Sequence, residues 1–91
     1  MSPSAGGYRL SRHAEEQMAR RQIPRDWVDL VLAQPEQRLL LSDGREVLQS
    51  RHRTNDGTMF LLRLVVATDT RPQVVVTVYR TTKIEKYWRP E

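Results

Sequence analysis

Ninety-one residues suffice for one compact domain and leave no room for a second; at this size a chain buries somewhat over about 60% of its unfolded surface. With no cysteine it has neither a disulfide framework nor a thiolate nucleophile nor a thiolate zinc site, and its longest apolar runs, Leu64 to Ala67 among them, are far too short to cross a bilayer. The net charge of +4 lies beyond residue 37, because residues 1–37 carry five basic and five acidic side chains and the remainder ten and six.

Thirteen of the fifteen basic residues are arginine, whose planar fork pairs bidentately with phosphate and stacks on bases. That excess suits a polyanion such as nucleic acid. A codon bias toward arginine, with ordinary solubility charge, accounts for it equally well.

Residues 1–7 lack both basic side chains and an apolar stretch, so they are expected to form a disordered tail and not a signal peptide. Residues 8–91 are then a single α+β domain, with cytoplasmic residence the default. Ser11 is a good N-cap for a helix over Arg12 to Arg21, with Glu15 and Glu16 near its positive end and Leu10, Ala14 and Met18 forming its core stripe. A second helix starts with Pro24 at its first position, carries Trp27, Val28, Leu30 and Val31, and ends at Gln34-Pro35.

The period then changes to two. Arg38 to Leu41 and Arg45 to Arg53 flank the Asp43-Gly44 turn as a hairpin, and Asn55-Asp56-Gly57 marks the next turn. Met59 to Ala67 and Gln73 to Thr81 read as the two longest strands; Lys83 to Trp88 is either a short edge strand or a final helical turn. Alternation puts Phe60, Leu62, Leu64 and Val66 with Val74, Val76 and Val78 beneath the helices. The other face carries Met59, Leu61, Arg63 and Val65 beside Gln73, Val75, Thr77, Tyr79 and Thr81, with Arg51 and Arg53 as neighbours. The expected architecture is two N-terminal helices on one face of a four-stranded, mainly antiparallel sheet.

Candidate chemistry is sparse. His13 lies at the border of the core stripe beside Glu16, Gln17 and Arg20, a position that fits either a locally hydrogen-bonded boundary residue or a general acid or base. No metal site is expected, since His52 is the only other histidine, and no Gly-rich phosphate loop or Gly-x-Ser-x-Gly elbow is present. On the sheet, Thr77, Tyr79 and Thr81 with Arg63 across from them read either as ordinary exposed strand residues or as a phosphate cradle, lengthened by Arg51, His52, Arg53, Lys83 and Lys86. Met59, Leu61 and Val65 offer a third alternative, an apolar patch covered by a partner or by a second copy in a homodimer.

The run "HAEEQMARRQI" and the later "VVVTVYRTTKIEKY" resemble the bacterial domain of unknown function 4258, a family often grouped with RelE-like toxins. His13, Ala14, Met18, Arg21 and Ile23 match its opening pattern, and Thr77 and Tyr79 match its closing strand. Gln17 and Gln22 depart from it, standing where the family has arginine and glycine; the second departure implies a different turn between the helices. The resemblance implies a RelE- or barnase-like fold and metal-independent, cofactor-free cleavage of RNA by 2′-hydroxyl transesterification. His13 would be its acid or base, Tyr79 a second proton-transfer or stacking group, and Arg63 the stabiliser of phosphorane charge. RNA contacts would come from Arg20, Arg21, Arg51, Arg53, Thr77, Thr81 and Lys83. The implied partners are RNA, free or on the ribosome, and an antitoxin protein; a non-catalytic RNA-binding or protein-interaction module of the same fold is the competing reading.

Overall fold

The computed structural model describes residues 7–90. The tail expected at 1–7 therefore lies, Gly7 apart, outside the described residues. The chain is α+β, with elements in the order β1 (Tyr8–Leu10), α1 (Arg12–Arg21), α2 (Arg25–Ala33), β2 (Gln37–Leu40), β3 (Glu46–Arg53), β4 (Met59–Ala67), β5 (Gln73–Thr81) and α3 (Ile84–Tyr87). Five strands form one mixed sheet in the order β1-β5-β4-β3-β2. Only β1 runs parallel to its neighbour, pairing Tyr8 with Gln73 and Leu10 with Val75. Among the described residues no helix is long and apolar enough to cross a membrane.

Two expectations are corrected by these counts, which are of the described residues. The sheet has five strands and not four, because three residues are too few to show a period of two and the partner of β1 lies near the other end of the chain. There are three helices and not two: Ile84–Tyr87 takes the helical alternative, closed by the Trp88 N–H bonding the Ile84 carbonyl at 2.9 Å.

The expected cap at Ser11 is present. Its Oγ accepts from the Ala14 N–H at 2.9 Å and donates to the Val76 carbonyl at 2.8 Å, so one hydroxyl starts α1 and ties it to β5. Leu10 belongs to β1 and not to the helix. Pro24 caps α2 one residue before its first position, where its lack of an N–H again removes nothing the helix needs.

Between the helices, Gln22 adopts the left-handed conformation, φ 55° and ψ 51°. The Ile23 N–H reaches back to the Met18 carbonyl at 2.9 Å, and Ile23 is buried beneath the turn. This is a left-handed helix-end motif that ordinarily takes glycine. A glutamine therefore holds, in this chain, a left-handed position of the kind that glycine ordinarily takes.

The helix-covered core joins Ala14, Val28 and Val31 to Leu48, Phe60, Leu62, Leu64 and Val66, as β4 alternation requires. On β5 the expected set holds for Val78 but not for Val74 and Val76. Val65 pairs with Thr77 but Val66 pairs with Val75, so Val76 is an extra residue and the alternation shifts there. Val75 and Val78 are buried in the core, whereas Val74 and Val76 are only partly so.

The opposite face is not open. Residues Ile84 to Pro90 cross it, and Leu61, expected in an exposed apolar patch with Met59 and Val65, is fully buried; those two are half-buried. A row in register across that face, Gln37, Gln49, Arg63 and Tyr79, carries polar side chains on four adjacent strands. Gln49 Nε2 donates to Gln37 Oε1 at 2.7 Å and to the Tyr87 carbonyl at 3.2 Å, and Arg63 Nε donates to Gln49 Oε1 at 2.9 Å. Gln37 closes the row by donating to the Arg89 carbonyl and accepting from the Arg89 N–H.

Candidate functional site

Where β5 runs past the end of β1, its outer edge would expose backbone groups to solvent. α1 covers the first part. The Ser11 N–H bonds the Val75 carbonyl at 2.9 Å, and Gln17 Oε1 accepts from the Val78 N–H at 3.0 Å. An arginine at Gln17 could not accept that bond, so this position serves the strand edge in the present chain.

Below that point a cleft of about 450 Å³ opens between the last residue of α1, the β3–β4 turn and the end of β5. Arg21, Tyr79, Arg80 and Thr81 line it together with Phe60 and the turn residues Thr54, Asp56 and Thr58. The turn is built by its own sequence. Gly57 takes φ 90°, and Asp56 Oδ1 accepts from the Thr54 hydroxyl and from the Thr58 N–H. Those hydrogen bonds, Thr54's first, hold the Asp56 carboxyl below the usual carboxylate range. Arg80 reaches the cleft from the helix side, its guanidinium 5.4 Å above the Phe60 ring. Neither Arg21 nor Arg80 is in an ion pair among the described residues.

Tyr79 links the cleft to the far face. Its hydroxyl lies 3.4 Å from that of Tyr87, whose ring stands edge-on at 5.9 Å. Hydrogen bonding to Tyr87, then to Thr81, holds the Tyr79 hydroxyl below the usual tyrosine range, helped by the charges of Lys86 and Arg21 and opposed by burial. Tyr87 is itself fixed, with Arg63 4.2 Å over its ring. Three polar rungs thus stand behind the Tyr79 hydroxyl.

Of the residues singled out from sequence, the cleft gathers Arg21, Tyr79 and Thr81. His13 is exposed on α1, eight residues before Arg21, an axial rise of about 12 Å, and does not line the cleft. Arg20 is exposed beside Arg21, Arg53 is exposed at the end of β3, and Lys83 is exposed with its N–H on Thr81 Oγ1 at 3.0 Å. Thr77 is half-buried at the bulge.

Arg51 and Arg63 are engaged elsewhere. Arg51 holds both carboxylate oxygens of Glu36 at 3.2 Å and stacks 4.3 Å over Trp88, and Arg63 is half-buried between Gln49 and Tyr87. The pair keeps the Glu36 carboxyl below its usual range. His52 packs at 4.4 Å against Trp27 on the helix side. Among the described residues no three His, Asp or Glu side chains gather in a group that could hold a metal ion.

Sequence reasoning missed Arg80, Tyr87 and the turn residues. Arg80, two residues after the buried Val78, falls on the core side, and at the sheet's end that side opens into the cleft. The one available signal was polarity where apolar residues belong: Gln49 and Arg63 interrupt apolar strands.

No curated protein and no solved structure matches the chain. The profile of the family described as Domain of unknown function (DUF4258) matches residues 10–80, from β1 to the Arg80 of the cleft, and the chain belongs to that family.

Proposed function

We propose that the chain is a metal-independent endoribonuclease of the bacterial toxin kind, RelE- or barnase-like, that cleaves RNA by 2′-hydroxyl transesterification in the Tyr79 cleft. One observation carries the reading: two arginines without acidic partners among the described residues, Arg21 and Arg80, line one cleft with Tyr79, whose hydroxyl is held below its usual range. The guanidinium groups bind the scissile phosphate and take up its developing charge. The Tyr79 phenolate removes the 2′-hydroxyl proton, the 2′ oxygen attacks phosphorus, and the P–O5′ bond breaks to leave a 2′,3′-cyclic phosphate, the departing 5′ oxygen taking its proton from the Tyr79 hydroxyl so formed or from water. RNA is the partner, met free or on the ribosome, and an antitoxin protein would restrain the activity in the cytoplasm.

A second reading, RNA binding without cleavage, is favoured by the placement of His13 outside the cleft and the engagement of Arg63 with Gln49 and Tyr87. The test is single-stranded RNA incubated with purified wild type, Tyr79→Phe, Arg21→Ala and His13→Ala, with cleavage and binding measured separately. Cleavage to cyclic-phosphate ends is expected, reduced ~10²-fold or more by Tyr79→Phe with binding retained. The rate should rise with pH along a limb below the ordinary tyrosine value of about 10, and Tyr87→Phe should move that limb upward by removing the bond that favours the phenolate. Salt-sensitive binding with no cleavage by wild type would establish the second reading. Loss of rate in His13→Ala would return acid–base work to His13.

A further inference from the structure

We propose that the outer edge of β2 and the groove beside it dock an extended acidic segment of a partner protein, which joins the sheet as a further strand. The surface shares no residue with the Tyr79 cleft and does not depend on the RNA reading.

β2 ends the strand order, and nothing among the described residues pairs with its outer side. The opposite edge is protected, with a three-residue β1 followed by α1 along β5. The Leu41 N–H points inward to the Arg45 carbonyl at 2.8 Å, so alternation turns the backbone N–H and C=O of Arg38 and Leu40 outward. Such a row of free donors and acceptors is what an added strand requires.

The side chains define that strand's chemistry. Leu40 is 76% exposed, with Leu41 following it. On the far face a groove of about 410 Å³ runs between Leu39–Leu41 and the C-terminal segment. Arg63, Lys86 and Arg89 line it with Tyr87 and Trp88, no acidic residue does, and none of the three cations has an acidic partner among the described residues. An added strand presents alternate side chains to the two faces. Carboxylates would enter the groove and apolar groups would cover Leu40.

A second copy fits poorly, because pairing β2 with itself about a two-fold axis brings Lys86 and Arg89 toward their own counterparts. RNA gains nothing from an exposed leucine or from a free ladder edge.

The experiment is selection of a display library of random short peptides on the immobilised full chain, followed by affinity measurement of the enriched peptides. The expected enrichment is alternation of Asp or Glu with apolar residues. Leu40→Pro removes an N–H that the ladder turns outward, without a partner among the described residues, and is compatible with an edge strand; Lys86→Glu with Arg89→Glu reverses exposed charges. Each should weaken the selected peptides roughly tenfold or more, about 1.4 kcal/mol, with circular dichroism unchanged. No enrichment, enrichment of basic peptides, or binding indifferent to Leu40→Pro would overturn the proposal. So would dimerisation of the free chain abolished by Leu40→Pro, or an RNA oligonucleotide whose binding is lost only in the charge-reversed variant.

Discussion

On the helix side of the sheet, Leu62, Leu64, Val66, Val75 and Val78 meet Ala14, Val28 and Val31, and all are buried. On the far side the same strands present Gln49, Arg63 and Tyr79 to Ile84–Pro90. The first contact is held by apolar area, which has no direction and tolerates small shifts. The second is held by hydrogen bonds, whose geometry is narrow and whose omission inside protein is costly. Among the described residues no buried side-chain nitrogen or oxygen lacks a partner, so the polar ladder is complete. The difference bears on the site: Tyr79 receives a partner of fixed position because the layer behind it is directional.

Removing packing should have the largest effect. Leu64→Ala, at the centre of the helix side, is expected to cost about 2–5 kcal/mol in urea denaturation, by lost transfer energy and a residual cavity, and to lower hydrogen-exchange protection on both faces. If only the helix side loosens, the two layers are not one cooperative unit.

Gln49→Leu tests the far face. It strands Arg63 Nε and the Tyr87 carbonyl, and should cost on the order of 1–3 kcal/mol. Its signature is selective: amide exchange at Trp88 accelerates while core amides of β4 keep their protection. A uniform loss instead would mean that the C-terminal segment is held by more than the ladder.

The smallest effect concerns the backbone that brings α1 to the cleft. Gln22→Gly relieves a left-handed residue at φ 55°, offset in part by glycine's greater freedom when unfolded. A gain of about 0.5–1 kcal/mol in unfolding free energy, read as a higher urea midpoint, is expected. A loss would show that the Gln22 side chain contributes something its geometry does not reveal.

Much of this was legible in the residues. Ser11 announced its helix, Asp43-Gly44 and Asn55-Asp56-Gly57 announced their turns, and Met59–Ala67 alternated as a strand with one apolar side. These are local signals, set by side-chain oxygens, glycine dihedrals and the pleat. β1 was not legible because three residues carry no period, and the Val76 bulge was not because nothing in a run of valines marks the one that is skipped. Arg21, Tyr79 and Thr81 were legible as candidates by residue type. Their meeting with Arg80 and Asp56 was not, since it depends on where a helix, a turn and a strand end in space.

Local chemistry alone therefore determined the first two helices, the turns, the apolar side of β4 and the cationic bias of the second half, because each depends on neighbours a few residues away. Tertiary structure decided which arginines stay available and which are taken up. Arg51 and Arg63 are drawn into contacts with Glu36, Gln49, Tyr87 and Trp88, while Arg21 and Arg80 are left at the cleft. The physical reason is that a guanidinium's role is set by what else lies within a few ångströms, and those neighbours come from distant parts of the chain.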